Sequence, residues 1–551
     1  MEIIKHKNSI SWINNILKNH RLPLFILIIL QGISSILFTT YPIIMLKLIN
    51  AIEKKDSYEF KISLLIFSAF IIFQLVVNFI YSVYISNVSL NIYNTLKNSL
   101  LSSWLSRRDI SRHKFHTGEL INRLTGDINV IVDGYTTIIP NFISVIVKIV
   151  LTIFLLHTII PELAYGAIVG GILMIVGVTI IRKIMKELHK SISNANGKIM
   201  ANLQEIFMNT VIIRSFSVEE KILNDNNNIY NEYKGLSLKR VKIRALNQFI
   251  IGLLFSIAII IGTIYASIGI FKGDLTIGSY VAISQLILQI RGPLVGLTGY
   301  VSKYFIMTAS ADRLKDLSES EMIDFISENN LLEVPECIKF NDVEFYYEDN
   351  DKKISNINEV IYFKDNTALI GESGRGKSTF LKLLIGVYPI LSGSIELVYK
   401  DKSIFINDDN RIGYIKLFSY VPQGNSLISG SIREIISFGL DPDDEKINKV
   451  LKISCAYDFV QELPNKLDTI LSEKGIGLSE GQIQRLTIAR ALYRERPFLV
   501  MDESTSALDS VTEKKLLKNL NELENVSIVV VTHKEEVLSI CNRVINFNEE
   551  I

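Results

Sequence analysis

Six runs of about 20 mostly apolar residues dominate the first part of the chain: Leu22–Tyr41, Ile62–Ile85, Ile138–His157, Leu163–Ile181, Phe249–Ile270 and Ile277–Val295. A helix needs about 20 such residues to cross roughly 30 Å of hydrocarbon. Each run therefore reads as a membrane-spanning helix, and six of them together weigh heavily against a large soluble protein. The connections alternate in character. Ala51–Lys61, Thr158–Glu162 and Phe271–Thr276 are short. Residues 86–137 and 182–248 are long and rich in Lys and Arg, among them Arg107, Arg108, Arg123, Arg182 and Lys183. Basic loops stay on the cytoplasmic side of a membrane, so both long connections and both termini are expected in the cytoplasm.

The long connections are patterned as well as charged. Leu120, Leu124, Ile128 and Ile131 recur at helical spacing, as do Ile199, Leu203, Ile206 and Phe207. Each connection is expected to be two helical arms joined at a tip, near Ser111–Phe115 and near Ile212–Phe216. At 1.5 Å per residue, arms of about 25 to 30 residues project roughly 35–45 Å. Beyond Ala311-Asp312-Arg313 the apolar pattern fades through the acidic stretch SESEMIDFISENNLLEVPE, and IKFNDVEFYY then alternates as a strand. The expected organisation is a membrane domain over 1–318, a linker over 319–336 and a second domain over 337–551.

Composition narrows the function. The hydrophobic content of 48% is concentrated in the first domain, and the net charge of +1 gives no electrostatic footprint for nucleic acid. Three cysteines, Cys337, Cys455 and Cys541, show no CxxC spacing, which argues against a disulfide framework and for a reducing compartment. The N-terminal MEIIKHKNSISWINNILKNHR lacks the apolar core of a signal peptide and reads as an amphipathic lead-in, basic at Lys5, Lys7, Lys18 and Arg21.

Chemistry enters with TALIGESGRGKSTFLKLLIG. An apolar strand at Ala368–Ile370 and a helix at Ser378–Ile385 flank Gly371, Gly374, Gly376, Lys377 and Ser378 in the order G-x-x-x-x-G-K-S. Glycines let backbone N–H groups wrap phosphates, the helix N-terminus adds its positive end, Lys377 reaches the β and γ phosphates and the Ser378 hydroxyl can ligate magnesium. A second apolar strand, FLVMDE, ends in Asp502 and Glu503. Asp502 is expected to hold magnesium, and Glu503 to polarise an attacking water as general base. An acid pair ending a strand could otherwise cap a helix, and the phosphate loop in the same domain favours the catalytic reading.

With these motifs in order, the chain resembles an ABC exporter half-transporter: six membrane spans fused to one ATP-binding cassette. The resemblance covers essentially the whole chain. It implies a membrane all-α six-helix domain followed by an α/β P-loop nucleotide-binding domain, with ATP and Mg2+ as cofactors. It also implies that Tyr347 stacks on adenine and that Glu372, Ser373, Arg375 and Thr379 join the phosphate loop. Gln423, in SYVPQ, then senses magnesium and assists catalysis, SALD at Ser506–Asp509 is the D-loop, and His533 in VVVTH is the switch histidine. LSEGQ, with Ser479, Gly481 and Gln482, is the signature that closes over ATP held by a second copy. It opens an evident helix, IQRLTIARAL, and so offers N–H groups and a dipole to an anion.

Two positions depart from the family pattern. Glu480 stands where a glycine is usual, and its side chain is expected to point away from phosphate. Arg375 stands where a small residue is usual, and is expected either to add a cation near the phosphates or, in preference, to contact the partner. Every chemical group is nevertheless present, which favours a homodimer over a heterodimer with one dead site. The chain ends at RVINFNEEI, and fewer dimer contacts are expected at the base.

The expected activity is ATP-driven export of an amphipathic drug, lipid or peptide across the cell membrane by alternating access of a dimer. The alternatives are an exporter specialised for a bacteriocin-type peptide and an ATP-gated channel or regulator on the same fold. A soluble DNA-maintenance ATPase would need coiled coils where the six runs lie. With the first run beginning near Leu22, no leader-cleaving peptidase is expected before it. Within the spans, Gln74, Asn78, Lys148 and Arg291 are polar. Lys148 and Arg291 are expected either to face a cavity that favours an anionic group or to pair between helices and snorkel.

Overall fold

The structure, a computed structural model, describes residues 2–106, 117–318, 333–346, 353–407, 410–424, 427–472 and 477–548. It divides into two compact units, one helical and ending at Leu317, the other built mainly from Ser318 onward.

In the helical unit a lead-in helix, Glu2–Ile16, precedes six long ones: Arg21–Glu53, Ser57–Leu105, Ile139–Ile159, Pro161–Met208, Glu219–Lys272 and Ile277–Ser318. Each of the six apolar runs falls on one of these helices, the third starting one residue before its helix. Among the described residues, four stretches are long and apolar enough to cross a membrane by composition, Ser9–Glu53, Ser57–Leu105, Gly118–Ile159 and Glu219–Lys272. The sixth run is diluted by Gln285, Gln289 and Arg291. Its helix instead buries Ala282, Ile283, Leu286 and Ile290 against its neighbours. The second helix turns Leu65, Ile72, Leu75 and Phe79 outward, each more than half exposed. Such a surface is stable only against hydrocarbon or another apolar face.

Local signals set the short connections. Asp56 Oδ1 accepts from the backbone N–H groups of Tyr58 and Glu59 at 2.8 and 3.1 Å, capping the second long helix. Pro161 opens the fourth at a position that needs no donor, and Gly273, at φ 82°, closes the fifth in the left-handed conformation. The second long connection is helical on both sides, with Thr210–Ser215 as a short helix between Pro161–Met208 and Glu219–Lys272. The tip expected near Ser111–Phe115 lies outside the described residues.

The first connection is less regular than its periodicity suggests. After Thr117–Asn122, the backbone widens into two π-helical turns, Arg123–Asp127 and Gly134–Ile138. The first turn carries two buried charges, Arg123 and Asp127. Asp127 accepts from Arg313 Nε at 2.8 Å and from Ser310 Oγ at 2.9 Å, and it is also paired with Arg313 Nη2. Arg123 Nη1 donates to the Arg313 carbonyl at 2.7 Å. A buried charge is costly unless paired: Asp127 finds its partner, Arg313, on the sixth long helix, and Arg123 pairs with Glu119 one turn earlier, at 2.7 Å. The second turn brings Gly134 so close to Met307 that a Cβ would lie 2.0 Å from its sulfur.

The second unit begins with a strand, Cys337–Tyr346, in an antiparallel sheet with Lys353–Ile357, Val360–Tyr362, Ser392–Val398 and Ser403–Phe405. A parallel sheet follows, in the order Arg543–Asn546, Thr367–Ile370, Ser527–Val531, Phe498–Asp502, Phe418–Val421. Its central strands are buried throughout, as parallel strands covered on both faces must be. Phe380, on the helix after the phosphate loop, packs 5.0 Å from Phe340 and 5.5 Å from Phe547, centroid to centroid, and so ties that helix to both sheets. A separate apolar core, including Ile432, Ile447, Leu451, Val460, Ile483 and Leu486, carries the helix that follows the signature. The phosphate loop and the signature therefore rest on different cores of one unit.

Candidate nucleotide site

Strand register assembles the site. Val531 pairs with both Leu369 and Asp502, and Val421 pairs with Met501. The segments leaving the carboxyl ends of these strands are the phosphate loop, Thr532-His533, Glu503 and Pro422-Gln423. In an open α/β sheet, this edge is where ligands bind.

The loop from Gly371 to Gly376 runs from the buried strand Thr367–Ile370 into the helix Lys377–Leu384. Gly376, at φ 97°, caps that helix in the left-handed region, and a Cβ there would lie 2.4 Å from Ile354 Cδ1. Only glycine fits. Lys377 is buried, and its ammonium donates to the carbonyl oxygens of Gly371 and Glu372, the latter at 2.8 Å. Its side chain thus lies across the arch of the loop. The Glu372 N–H donates to Asn548 Oδ1 at 2.8 Å, which fastens the start of the loop to the residues just past the last strand. Sequence reasoning missed Asn548, because an asparagine in FNEEI carries no motif. Arg375 pairs with Glu372 at 3.5 Å across an exposed surface, while Thr379 is buried and Ser373 exposed.

Ser378 Oγ donates to Asp502 Oδ1 at 3.1 Å, and the Tyr420 hydroxyl donates to Oδ2 at 3.4 Å. Burial pushes the Asp502 carboxyl above the usual carboxylate range, while the Ser378 hydrogen bond opposes that and neighbouring Glu503 adds to it. A hydroxyl and one carboxylate at the end of the phosphate loop form a hard-oxygen donor pair. Mg2+ prefers such a pair, since it takes few protein ligands and fills the rest of its shell with phosphate and water. The residues fit the ion.

Glu503 takes a left-handed backbone, φ 48°, as the chain leaves the strand. That conformation is uncommon for a residue with a side chain, and it turns the carboxylate out of the sheet. Glu503 Oε2 accepts from Gln423 Nε2 at 2.7 Å. His533 is exposed two residues beyond Val531, which ends the strand between those bearing the phosphate loop and Glu503. Tyr347 lies outside the described residues.

At the signature, Ser479 caps the helix Glu480–Tyr493 in a reciprocal box: Gln482 N donates to Ser479 Oγ at 3.3 Å, and Ser479 N donates to Gln482 Oε1 at 2.8 Å. Glu480 is exposed in the first turn, where an acid favours the helix dipole. A Cβ on Gly481 would lie 2.9 Å from the Ala507 carbonyl, so the signature packs directly on the D-loop. Buried Gln484 joins the two, donating to Ser506 Oγ at 3.3 Å and accepting from Ala507 N at 3.2 Å. Gln484 also went unnoticed in the sequence. Its signal was its place three residues after Gly481, on the same helix face.

Of the two cations within the spans, Lys148 is half-buried with its ammonium 5.3 Å from the Phe38 ring centroid. Arg291 reaches another way, its guanidinium 3.7 Å from where a Cβ on Gly252 would stand.

Comparison with known proteins agrees with this architecture. Residues 23–294 match the ABC transporter transmembrane region, and residues 354–506 match the ABC transporter domain. A Rickettsia bellii protein whose name describes an export ATP-binding/permease protein is 29% identical over 484 residues, covering 86% of this chain and 82% of the relative. The multidrug resistance-like ATP-binding protein MdlB of Buchnera aphidicola is 28% identical over 510 residues, 90% of this chain and 85% of its own. The ATP-dependent lipid A-core flippase of Vibrio cholerae is 24% identical over 468 residues, 81% of this chain and 80% of its own. A bacterial Atm1-family ABC exporter, solved with ATP bound, superposes with a TM-score of 0.78 at 18% identity, covering 97% of this chain and 94% of that one. With a transporter membrane region and an ATP-binding cassette fused in one polypeptide, the chain belongs to the ABC exporter family as a half-transporter.

Proposed function

We propose that this chain binds ATP with Mg2+ and uses its hydrolysis to move an amphipathic molecule out across the cell membrane, as a dimer that alternates access between the two sides. The hydrogen bond from Gln423 to Glu503, beside the Ser378–Asp502 pair, carries this reading. It supplies a positioned base next to a metal-binding pair at the end of a phosphate loop.

The steps assigned to the chain's own residues are these. Gly371–Gly376 and the Lys377–Leu384 helix N-terminus hold the phosphates, and Lys377 places its charge on the β and γ groups. Ser378 and Asp502 would hold Mg2+, which when bound would neutralise phosphate charge, and Gln423 is assigned to assist them. Glu503 orients the attacking water and accepts its proton. His533 stabilises the transferring phosphoryl group, and Tyr347 stacks on the adenine. Ser479, Gly481 and Gln482 present a helix N-terminus to the nucleotide of the second copy, and the two-core layout of the unit supports that division of labour. The basic long connections support a cytoplasmic position for both termini and the nucleotide-binding unit. Residues 1–318 are assigned to the membrane domain, 319–336 to the linker and 337–551 to the cassette. The relatives named for multidrug resistance and lipid A-core flipping support an amphipathic substrate, and the bacteriocin alternative draws no support from them.

The test is Glu503→Gln in membranes, beside the unaltered protein and a panel of lipids, drugs and peptides. The variant is expected to bind ATP, to remain as a closed dimer and to transport nothing. Sustained ATP turnover by the variant, or ion conductance without transport in the unaltered protein, rejects the reading.

A further inference from the structure

Lys148 is the tenth residue of the 21-residue helix Ile139–Ile159, about 14 Å from one end and 17 Å from the other. A charge at that depth is costly unless it faces a polar cavity or a partner. Among the described residues no carboxylate pairs with it. It lines a cavity of about 470 Å³ between the first, third and sixth long helices, a volume within the range of small-molecule sites.

Three features give the cavity a polar wall around the ammonium. The Phe38 ring lies under Lys148 at 5.3 Å, while the Phe38 carbonyl accepts from Gln289 Nε2 at 3.2 Å. One residue thus holds both the cation and the amide in place. Gln289 Oε1 is buried and accepts no hydrogen bond among the described residues. The Gln289 backbone carbonyl is also deprived of its usual helical donor, because Pro293 stands four residues on and has no N–H. Tyr300 also lines the cavity. Gly292 and Gly296, which also line the cavity, contribute no bulk.

We propose that this cavity is a headgroup subsite for an amphiphile whose head carries an acidic group beside a hydroxyl or amide donor. Lys148 pairs with the acid, and the two acceptor oxygens of Gln289 receive the neighbouring O–H or N–H. Arg291 takes no part, since it reaches toward Gly252. The assignment deepens the export reading and rests on it for the sense in which the bound molecule is substrate.

The test measures binding without ATP, so that a failure of hydrolysis and a failure of recognition are separate results. The full chain in zwitterionic nanodiscs is titrated with fluorescent phosphatidylglycerol, which has a phosphate and free hydroxyls, and with fluorescent phosphatidylcholine, which has neither free donor nor net charge. Cholate, a soluble carboxylate bearing hydroxyls, serves as competitor and distinguishes a lipid-specific site from a general acidic-amphiphile site. The expected result is preferential phosphatidylglycerol binding, weakened about tenfold or more in Lys148→Met. Lys148→Arg and Arg291→Met should keep it, and Gln289→Leu should weaken phosphatidylglycerol but not phosphatidylcholine. Equal binding of both lipids by the unaltered protein overturns the proposal. So does equal weakening of both lipids in Lys148→Met, or full retention of phosphatidylglycerol binding by that variant.

Discussion

Gln423 and Glu503, 80 residues apart in sequence, meet at 2.7 Å because their strands are neighbours and Val421 pairs with Met501. Each stands two residues beyond its register partner, so the sheet itself brings the amide to the carboxylate. The amide orients the base without taking its negative charge. Glu503→Gln is expected to lower ATP turnover by about 10²–10³-fold with nucleotide binding intact. Gln423→Ala should cost less, about tenfold, since it removes the orienting bond and leaves the base. Single-turnover hydrolysis beside nucleotide-binding assays distinguishes the two, and equal losses would contradict the division of roles.

The Ser378–Asp502 pair makes a different forecast. Asp502 is buried, and burial raises its pKa because its charge is deprived of water, a loss that a bound divalent cation would offset. Asp502→Asn should remove the benefit of Mg2+ for nucleotide affinity, leaving the variant's affinity nearly the same with and without a chelator. The unaltered protein should bind clearly more weakly once the chelator is added. A variant that keeps the full magnesium effect would place the ion elsewhere.

At the signature, the structure separates two changes that look alike in sequence. Gly481 faces the Ala507 carbonyl, which a Cβ would approach to 2.9 Å, whereas Glu480 is exposed. Gly481→Ala should push the D-loop aside and reduce ATP turnover by an order of magnitude or more, while monomer nucleotide binding survives. Glu480→Gly should alter turnover by less than about threefold, because it removes a solvated side chain and a modest dipole contribution. A many-fold rise in turnover for Glu480→Gly would show that the acid does face phosphate.

How much of this could be read in advance depends on the range of the interaction. The apolar runs and the phosphate loop are local patterns, so Leu22–Tyr41 and Gly371–Ser378 declare themselves within a few turns of chain. Gln484 and Asn548 were invisible because their partners, Ser506 with Ala507 and the Glu372 N–H, are supplied by tertiary packing. The π-helical turns of the first connection were hidden for a related reason. Ile128 and Ile131 keep the helical period and are buried, yet the widened turn is coupled to Asp127 pairing with Arg313, 186 residues away. Lys148 and Arg291 looked equivalent by composition, and only the direction of each side chain separates them.

The Asp127–Arg313 pair gives the last prediction. Asp127 is buried, whereas Arg313 keeps about half its side chain in solvent, at 47% exposure. Removing the acid therefore leaves a cation that can still hydrate, which costs less than stranding a fully buried charge. Removing the arginine leaves the buried carboxylate with only Ser310 as a donor among the bonds described above. Arg313→Met should accordingly lower the apparent Tm more than Asp127→Asn does, with losses of a few to several degrees for effects of about 1–3 kcal/mol. The double variant should lose less than the sum of the two single losses, because both single changes break the same bond. Thermal unfolding of the four proteins in one detergent checks the order and the coupling, and strictly additive losses would mean that the pair contributes no mutual stabilisation.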